Sequence, residues 1–226
     1  MKALICLSLL LSFAGSNITN AQTKTKNGLS LFDGKTLNGW RNSQRDTLPD
    51  NGWYVENREL IFDPAKGHGS DIITTSSFKN FDLSVQFKLS EGGNSGIKYF
   101  LLPNTSLGCE YQVIDDSRHA DAKLGVNGNR NTGSLYDIMP ADPNKPYKPA
   151  GEWNIGRIVV KGNRVQHWLN GVKILEYERE SEAFKQAIAK SKFKTTKGFA
   201  EADSSPILLQ AHGDKVSYRN IKIKEL

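Results

Sequence analysis

Along most of the chain, apolar and polar residues alternate one by one. Between residues 81 and 89 the apolar positions are Phe81, Leu83, Val85, Phe87 and Leu89, with a polar residue in each gap. That period of two is the signature of a half-buried strand. Shorter stretches of the same kind predict strands at 53–55, 60–62, 72–75, 97–102, 110–114, 158–160, 165–169, 172–177, 207–210 and 216–224. Asn170-Gly171 separates two of them and is a strong signal for a type I′ hairpin. Only one segment, 181–192, has helical spacing, with Ala183, Phe184, Ala187 and Ile188 on one side and Ser181 placed to cap it. Many short strands separated by turn residues predict an all-β fold, an antiparallel β-sandwich carrying one short surface helix.

The N-terminus departs from this pattern. Met1-Lys2, an apolar run over 3–14 and the small-residue end Thr19-Asn20-Ala21 have the layout of a secretory signal peptide. The run is too short to span a bilayer of about 30 Å as a helix. The expectation is a leader over 1–21 and a single domain over 22–226, periplasmic or secreted, with no membrane span. Removing the leader leaves one cysteine, Cys109, which rules out an internal disulfide or a thiolate zinc site. With 38% hydrophobic and 24% charged residues the chain can build a core. The formal net charge of +6 is mild. The basic run Lys190, Lys192, Lys194, Lys197 reads as a solvated face, and nucleic-acid binding is not expected.

Candidate chemistry concentrates in Glu110-Tyr-Gln-Val-Ile-Asp-Asp116. Alternation places Glu110 and Gln112 on one face, and a bulge after Gln112 would turn Asp115 onto it too. Acidic and amide groups are costly against a core, so this face meets solvent or lines a wet cleft. Laminarinase-type glucanases carry two catalytic carboxylates on such a strand as Glu-x-Asp-x-x-Glu. Here the spacing reads Glu110-x-Gln112-x-x-Asp115, which puts a two-carboxylate glycosidase mechanism in doubt. Gly92-Gly-Asn94-Ser-Gly-Ile97 lacks the helix and Lys-Ser/Thr pair of a phosphate loop and reads as a tight turn, with Asn94 and Lys98 available to a site. Tyr136, Trp153 and His167 add aromatic and polar groups near strand ends, a mixture that suits sugars. The four histidines form no zinc-hydrolase motif.

Seven motifs in order carry a resemblance. They are Leu31-Phe-Asp-Gly-Lys-Thr-Leu-Asn-Gly-Trp40, Gly92-Gly-Asn-Ser-Gly-Ile97, Gly108-Cys-Glu-Tyr-Gln-Val-Ile-Asp115 and Gly133-Ser-Leu-Tyr136. Gly151-Glu-Trp-Asn154, His167-Trp-Leu-Asn-Gly171 and Val216-Ser-Tyr-Arg-Asn-Ile221 complete the set. The chain resembles the 3-keto-disaccharide hydrolase domain family from about Ser30 to its C-terminus. The resemblance implies a concanavalin-A-like jelly roll, export, and an oligosaccharide or glycoside substrate whose sugar has been oxidised at C3. An upstream sugar 3-oxidoreductase is the implied pathway partner.

A C3 carbonyl acidifies the C2 hydrogen, so a base can form an enolate that expels the C1 substituent, with or without later hydration. The resemblance then assigns catalysis to Glu110, Lys98 and His167. Glu110 acts as base or metal ligand, and Lys98, His167 or a divalent cation stabilises the oxyanion. Asn94, Gln112, Asp115, Tyr136, Trp153 and His212 would hold the substrate, and Glu110, Asp115 and His119 would hold the cation. A non-catalytic, lectin-like carbohydrate-binding module is the alternative, since the same side chains serve both.

Overall fold

The computed structural model describes residues 24–25, 28–49 and 51–226; the expected leader over 1–21 lies outside them. Strands β1 (Lys24–Thr25), β2 (Gly28–Ser30) and β3 (Trp40–Asn42) open the chain. They are followed by β4 (Trp53–Glu56), β5 (Glu59–Phe62), β6 (Ile72–Thr74) and β7 (Phe81–Leu89). Strands β8 (Asn94–Tyr99) and β9 (Cys109–Ile114) form one antiparallel pair. Next come β10 (Asn154–Lys161), β11 (Arg164–Leu169), β12 (Val172–Glu178) and helix α1 (Glu182–Lys190). The chain closes with β13 (Leu208–Leu209) and β14 (Val216–Glu225).

These strands make two antiparallel sheets. The larger runs β1-β2-β14-β7-β10-β11-β12, with β5 also pairing β14 and β4 pairing β5. The smaller runs β3-β6-β13-β8-β9. The sandwich follows from alternation. Every second residue of β7 is buried, and Phe81, Leu83, Val85, Phe87 and Leu89 pack into the main core. From the smaller sheet, Ile72, Ile97, Tyr99, Tyr111, Val113 and Leu209 meet them. The result is the expected sandwich of concanavalin-A-like type.

The Asn170-Gly171 turn is as expected, with φ of 47° and 87° at its two centres. Ser181 caps α1 by accepting a hydrogen bond from the Phe184 N–H at 3.2 Å, and the buried Phe184 ring stacks on Tyr177. Three expectations shift. The strand expected at 97–102 starts at Asn94 and stops at Tyr99, because Asn94, Ser95 and Gly96 already pair with β9 and Phe100 takes a positive φ of 51°. Strands β1 to β3 are too short for alternation to reveal. The bulge expected after Gln112 is absent: β8–β9 pairing runs unbroken from Tyr99↔Cys109 to Asn94↔Ile114.

Candidate active-site cleft

An unbroken register makes β8 and β9 present one row of side chains outward from the core. Lys98 faces Glu110, and Gly96 faces Gln112. Asn94, Lys98, Glu110 and Gln112 all line a cleft of about 70 Å³ with Tyr136, Lys192, Phe193, Gln210 and His212. The opposite face of the same strands, carrying Tyr99, Tyr111 and Ile97, belongs to the core.

Glu110 is 7% exposed and Lys98 8%, and Lys98 Nζ stands 3.5 Å from Glu110 Oε2. Lys98 also donates to the Ser106 carbonyl at 3.3 Å. Burial raises the Glu110 pKa above the usual carboxylate value; the positive charges of Lys98 and Lys192 oppose that rise without cancelling it. Gly96 makes room for the carboxylate. A Cβ at that position would overlap Glu110 Oε1 and lie 2.7 Å from its Cδ.

Residues 133–136 run along the free edge of β9 and position Tyr136. Gln112 N–H donates to Ser134 O, and Tyr136 N–H donates to Glu110 O. The Tyr136 hydroxyl donates to Asp121 Oδ2 at 2.8 Å, and burial together with that carboxylate raises its pKa. Arg130 bridges Asp121 at 2.5 Å and Asp137 at 2.7 Å, which ties the 120–137 segment together. Lys192 lies in the basic run expected to be a solvated face. Its backbone N–H donates to Asp137 Oδ2 at 2.7 Å, Phe193 beside it is buried, and its ammonium sits 4.1 Å from the centre of the Tyr136 ring. The residue is exposed along much of its length, yet partial burial of the ammonium lowers its pKa, against the pull of Glu110 and Asp137. The sequence signal for this residue was local: a lysine between Ser191 and Phe193, both of which are buried.

Two acceptors in the cleft are orphaned. Asn94 Oδ1 and Gln210 Oε1 are buried with no hydrogen-bond partner, half of the four such side-chain atoms among the described residues. A buried unpaired acceptor costs about 1–3 kcal/mol, a cost that a donor on a bound molecule would relieve. Gln210 was not expected here; its backbone N–H donates to Gly96 O, which brings β13 against β8 at this point.

Other expected site residues lie elsewhere. His167 is fully buried between the sheets, where Nδ1 donates to Gly133 O at 2.8 Å and Nε2 accepts from the Tyr99 hydroxyl at 2.5 Å. Both nitrogens are used, and burial lowers its pKa from 6.5 to about 4. It sits on β11, where alternation puts it on the buried face together with Val165 and Leu169. Trp153 lies between Lys88 Nζ (4.6 Å) and Arg219 Cζ (3.9 Å), two residues of the larger sheet, and is not part of the cleft lining. Asp115 ends β9 as the anchor of a turn. Its carboxylate accepts from Gly92 N, Ser117 N and Oγ, and Arg118 N. Burial alone would raise its pKa, but those hydrogen bonds outweigh it and lower it.

The expected metal set of Glu110, Asp115 and His119 does not form one cluster. His119 instead groups with His212 and Asp214, whose ligand atoms lie within 4.8 Å of one another. The donor chemistry does not suit a cation. His119 Nδ1 accepts the Asp121 N–H at 3.0 Å, so the neutral ring carries its proton on Nε2, the atom facing Asp214 Oδ2 at 3.8 Å. That atom has no lone pair to offer.

Fold and site together define a two-sheet antiparallel sandwich with a buried carboxylate beside ammonium groups in a cleft on its smaller sheet. Residues 29–224 match the 3-keto-alpha-glucoside-1,2-lyase-like domain, and the chain belongs to that family. It is 37% identical to a 3-keto-disaccharide hydrolase of Bacteroides thetaiotaomicron, across 88% of this chain and 78% of that protein. Two crystal structures of putative glycosyl hydrolases from Parabacteroides distasonis are similar in fold. One is 31% identical with a TM-score of 0.76, covering 87% of this chain and 92% of that one. The other is 26% identical with a TM-score of 0.65, covering 84% and 100%.

Proposed function

We propose that the protein cleaves the glycosidic bond of 3-keto-glycosides or 3-keto-disaccharides by removing the C2 proton and eliminating the C1 substituent. The observation that carries this reading is the buried Glu110–Lys98 pair, 3.5 Å apart, in a cleft that also holds the orphaned oxygens of Asn94 and Gln210. C2 and the C3 oxygen are close neighbours on a sugar ring, so the reaction needs a base and a cation at close quarters, as these two groups are. Glu110, a stronger base for its raised pKa, takes the C2 proton. Lys98, with Lys192 near it, stabilises the negative charge that develops on the C3 oxygen. The protonated Glu110 then returns the proton to the leaving oxygen as the C1–O bond breaks. Asn94, Gln112, Gln210, Tyr136 and His212 hold hydroxyls, and Asn94 Oδ1 and Gln210 Oε1 gain the donors they lack.

His167 and Asp115 have no contact with substrate in this scheme, and it needs no metal. Addition of water to the eliminated product completes hydrolysis. The name of the Bacteroides relative and the fold of its neighbours support a carbohydrate substrate. The N-terminal pattern supports export, and an oxidoreductase acting at the sugar C3 position must supply the substrate.

Glu110→Gln is expected to lower turnover of a 3-keto-disaccharide by about 10³-fold or more while circular dichroism stays native. Near-normal activity of that variant would remove Glu110 from the mechanism. Wild-type protein in D₂O is expected to place deuterium at C2 and to release an enone absorbing in the ultraviolet before hydration. Binding of unoxidised glycans with no cleavage of any 3-keto sugar would instead identify a lectin-like module.

A further inference from the structure

Beyond Lys98 the outward face of the smaller sheet continues across three more strands. Cross-strand partners in a sheet share a face, and the register of the smaller sheet sets out a continuous row. Glu110 faces Lys98, Lys98 faces Leu208, Leu208 faces Ile73, and Ile73 faces Arg41. Ile73, Leu208 and Leu101 form a small apolar cluster separate from the main core, on the outward face that carries Lys98. Beyond it opens a second cavity of about 740 Å³, floored by Ile73 and Leu101 and rimmed by Arg41, Gln44, Glu201 and Ser204.

The same two chain segments wall both spaces. The β8–β9 loop gives Leu107 and Gly108 to the reactive cleft and residues 101–105 to the larger cavity. The stretch after α1 gives Lys192 and Phe193 to the first and Gly198 with residues 201–206 to the second. Ser106 joins them, accepting from Lys98 Nζ through its carbonyl and donating from its hydroxyl to Ser43 Oγ on the far side at 3.4 Å.

We propose that this larger cavity is the leaving-group subsite, and that it takes a hydroxyl-bearing leaving group longer than one sugar ring. The inference rests on the function proposed above. Its size lies in the range of a ligand site and is about ten times that of the space beside Glu110. Its rim mixes a guanidinium, a carboxylate, an amide and a hydroxyl over an apolar floor, which matches the hydroxyls and C–H faces of a sugar and not an aliphatic chain. Length follows from the register. From β8 to β3 is three strand spacings, about 14 Å. The Arg41–Gln44 edge lies farther from Lys98 than one ring attached at C1 extends, because the buried Leu208 and Ile73 come between them in the sheet. Binding energy gathered there is available to orient the C1–O bond for elimination.

The test compares kcat/KM for a methyl 3-keto-glucoside, a 3-keto-disaccharide and a 3-keto-trisaccharide, each oxidised on its non-reducing ring. The wild-type value is expected to rise by about tenfold at each added sugar. Ser204→Trp and, on the opposite wall, Gln44→Trp change exposed residues outside the reactive cleft. Each is expected to erase most of that rise and leave the methyl glycoside unchanged. Equal kcat/KM for the three wild-type substrates would overturn the subsite, as would a rise that stops at the disaccharide. Tryptophan variants that slow all three alike, or none, would do the same. Failure of the wild type to turn over any 3-keto substrate would bring down the proposed function itself and the subsite with it.

Discussion

Glu110 and Lys98 are an ion pair with little access to water, and each sets the chemistry of the other. Burial favours the neutral carboxylic acid, while the ammonium 3.5 Å away favours the carboxylate. Burial wins, so the acid limb of the kcat/KM profile is expected above the ordinary glutamate value of 4.5, since activity requires the ionised base. Lys98→Met removes the larger of the opposing influences and raises the Glu110 pKa further. The acid limb is then expected to move to higher pH, with the plateau lowered by about 10²-fold through loss of oxyanion stabilisation. A limb that stays in place would mean that the titrating group is not Glu110. Lys192 follows the same logic with opposite sign, since its pKa is lowered by partial burial against Tyr136.

The β8–β9 hairpin explains how those groups come to face one another. Alternation along 110–114 was legible from residue type, and it put Glu110 and Gln112 on one face. Pairing of Lys98 with Glu110 was not legible, because register depends on where β8 begins, and the glycine-rich turn hid that start. Gly96 lies in the strand interior, where glycine weakens a sheet, and the close approach of the Glu110 carboxylate accounts for it. Gly96→Ala is expected to fold, because the added methyl meets the end of a side chain and not backbone. Displacing the carboxylate by about 1 Å should cost about 10²-fold in kcat. Thermal unfolding and kcat measured together check this; full activity would show that Glu110 has another productive position. Lys192 was hidden for a related reason. A lysine run after a helix looks solvated until the turn at Ser191–Phe193 bends one member back over the sheet.

The two sheets are also joined through polar groups at the centre of the molecule. Tyr99 of the smaller sheet hydrogen-bonds both His167 and Tyr177 of the larger one, at 2.5 and 2.8 Å. Cys109 lies in the same buried cluster, and burial pushes its thiol pKa up to about 12. This network makes stability depend on pH. His167 titrates near 6.5 when unfolded and about 4 when folded, so the unfolded chain takes up a proton first as pH falls. Its contribution is fully present above 6.5 and is lost between 6.5 and about 4, a change of about 3 kcal/mol. His167→Gln keeps a donor for Gly133 O and an acceptor for Tyr99 without a titrating ring. Urea denaturation across that pH window should therefore show a flatter slope than wild type; an unchanged slope would place the acid sensitivity elsewhere.

Residue order alone was enough for an antiparallel sandwich, its main strands, its one helix and a carboxylate-bearing strand as the candidate seat of chemistry to be read, because side-chain period and turn composition are local properties. Which groups share the cleft was beyond it. His167, Trp153 and Asp115 lay near informative motifs yet serve the core, the far face and a turn, while Lys192 and Gln210 arrive from segments about 80 to 100 residues beyond Glu110. Those placements depend on strand register, sheet order and the path of long connections, all set by packing between residues distant in the chain.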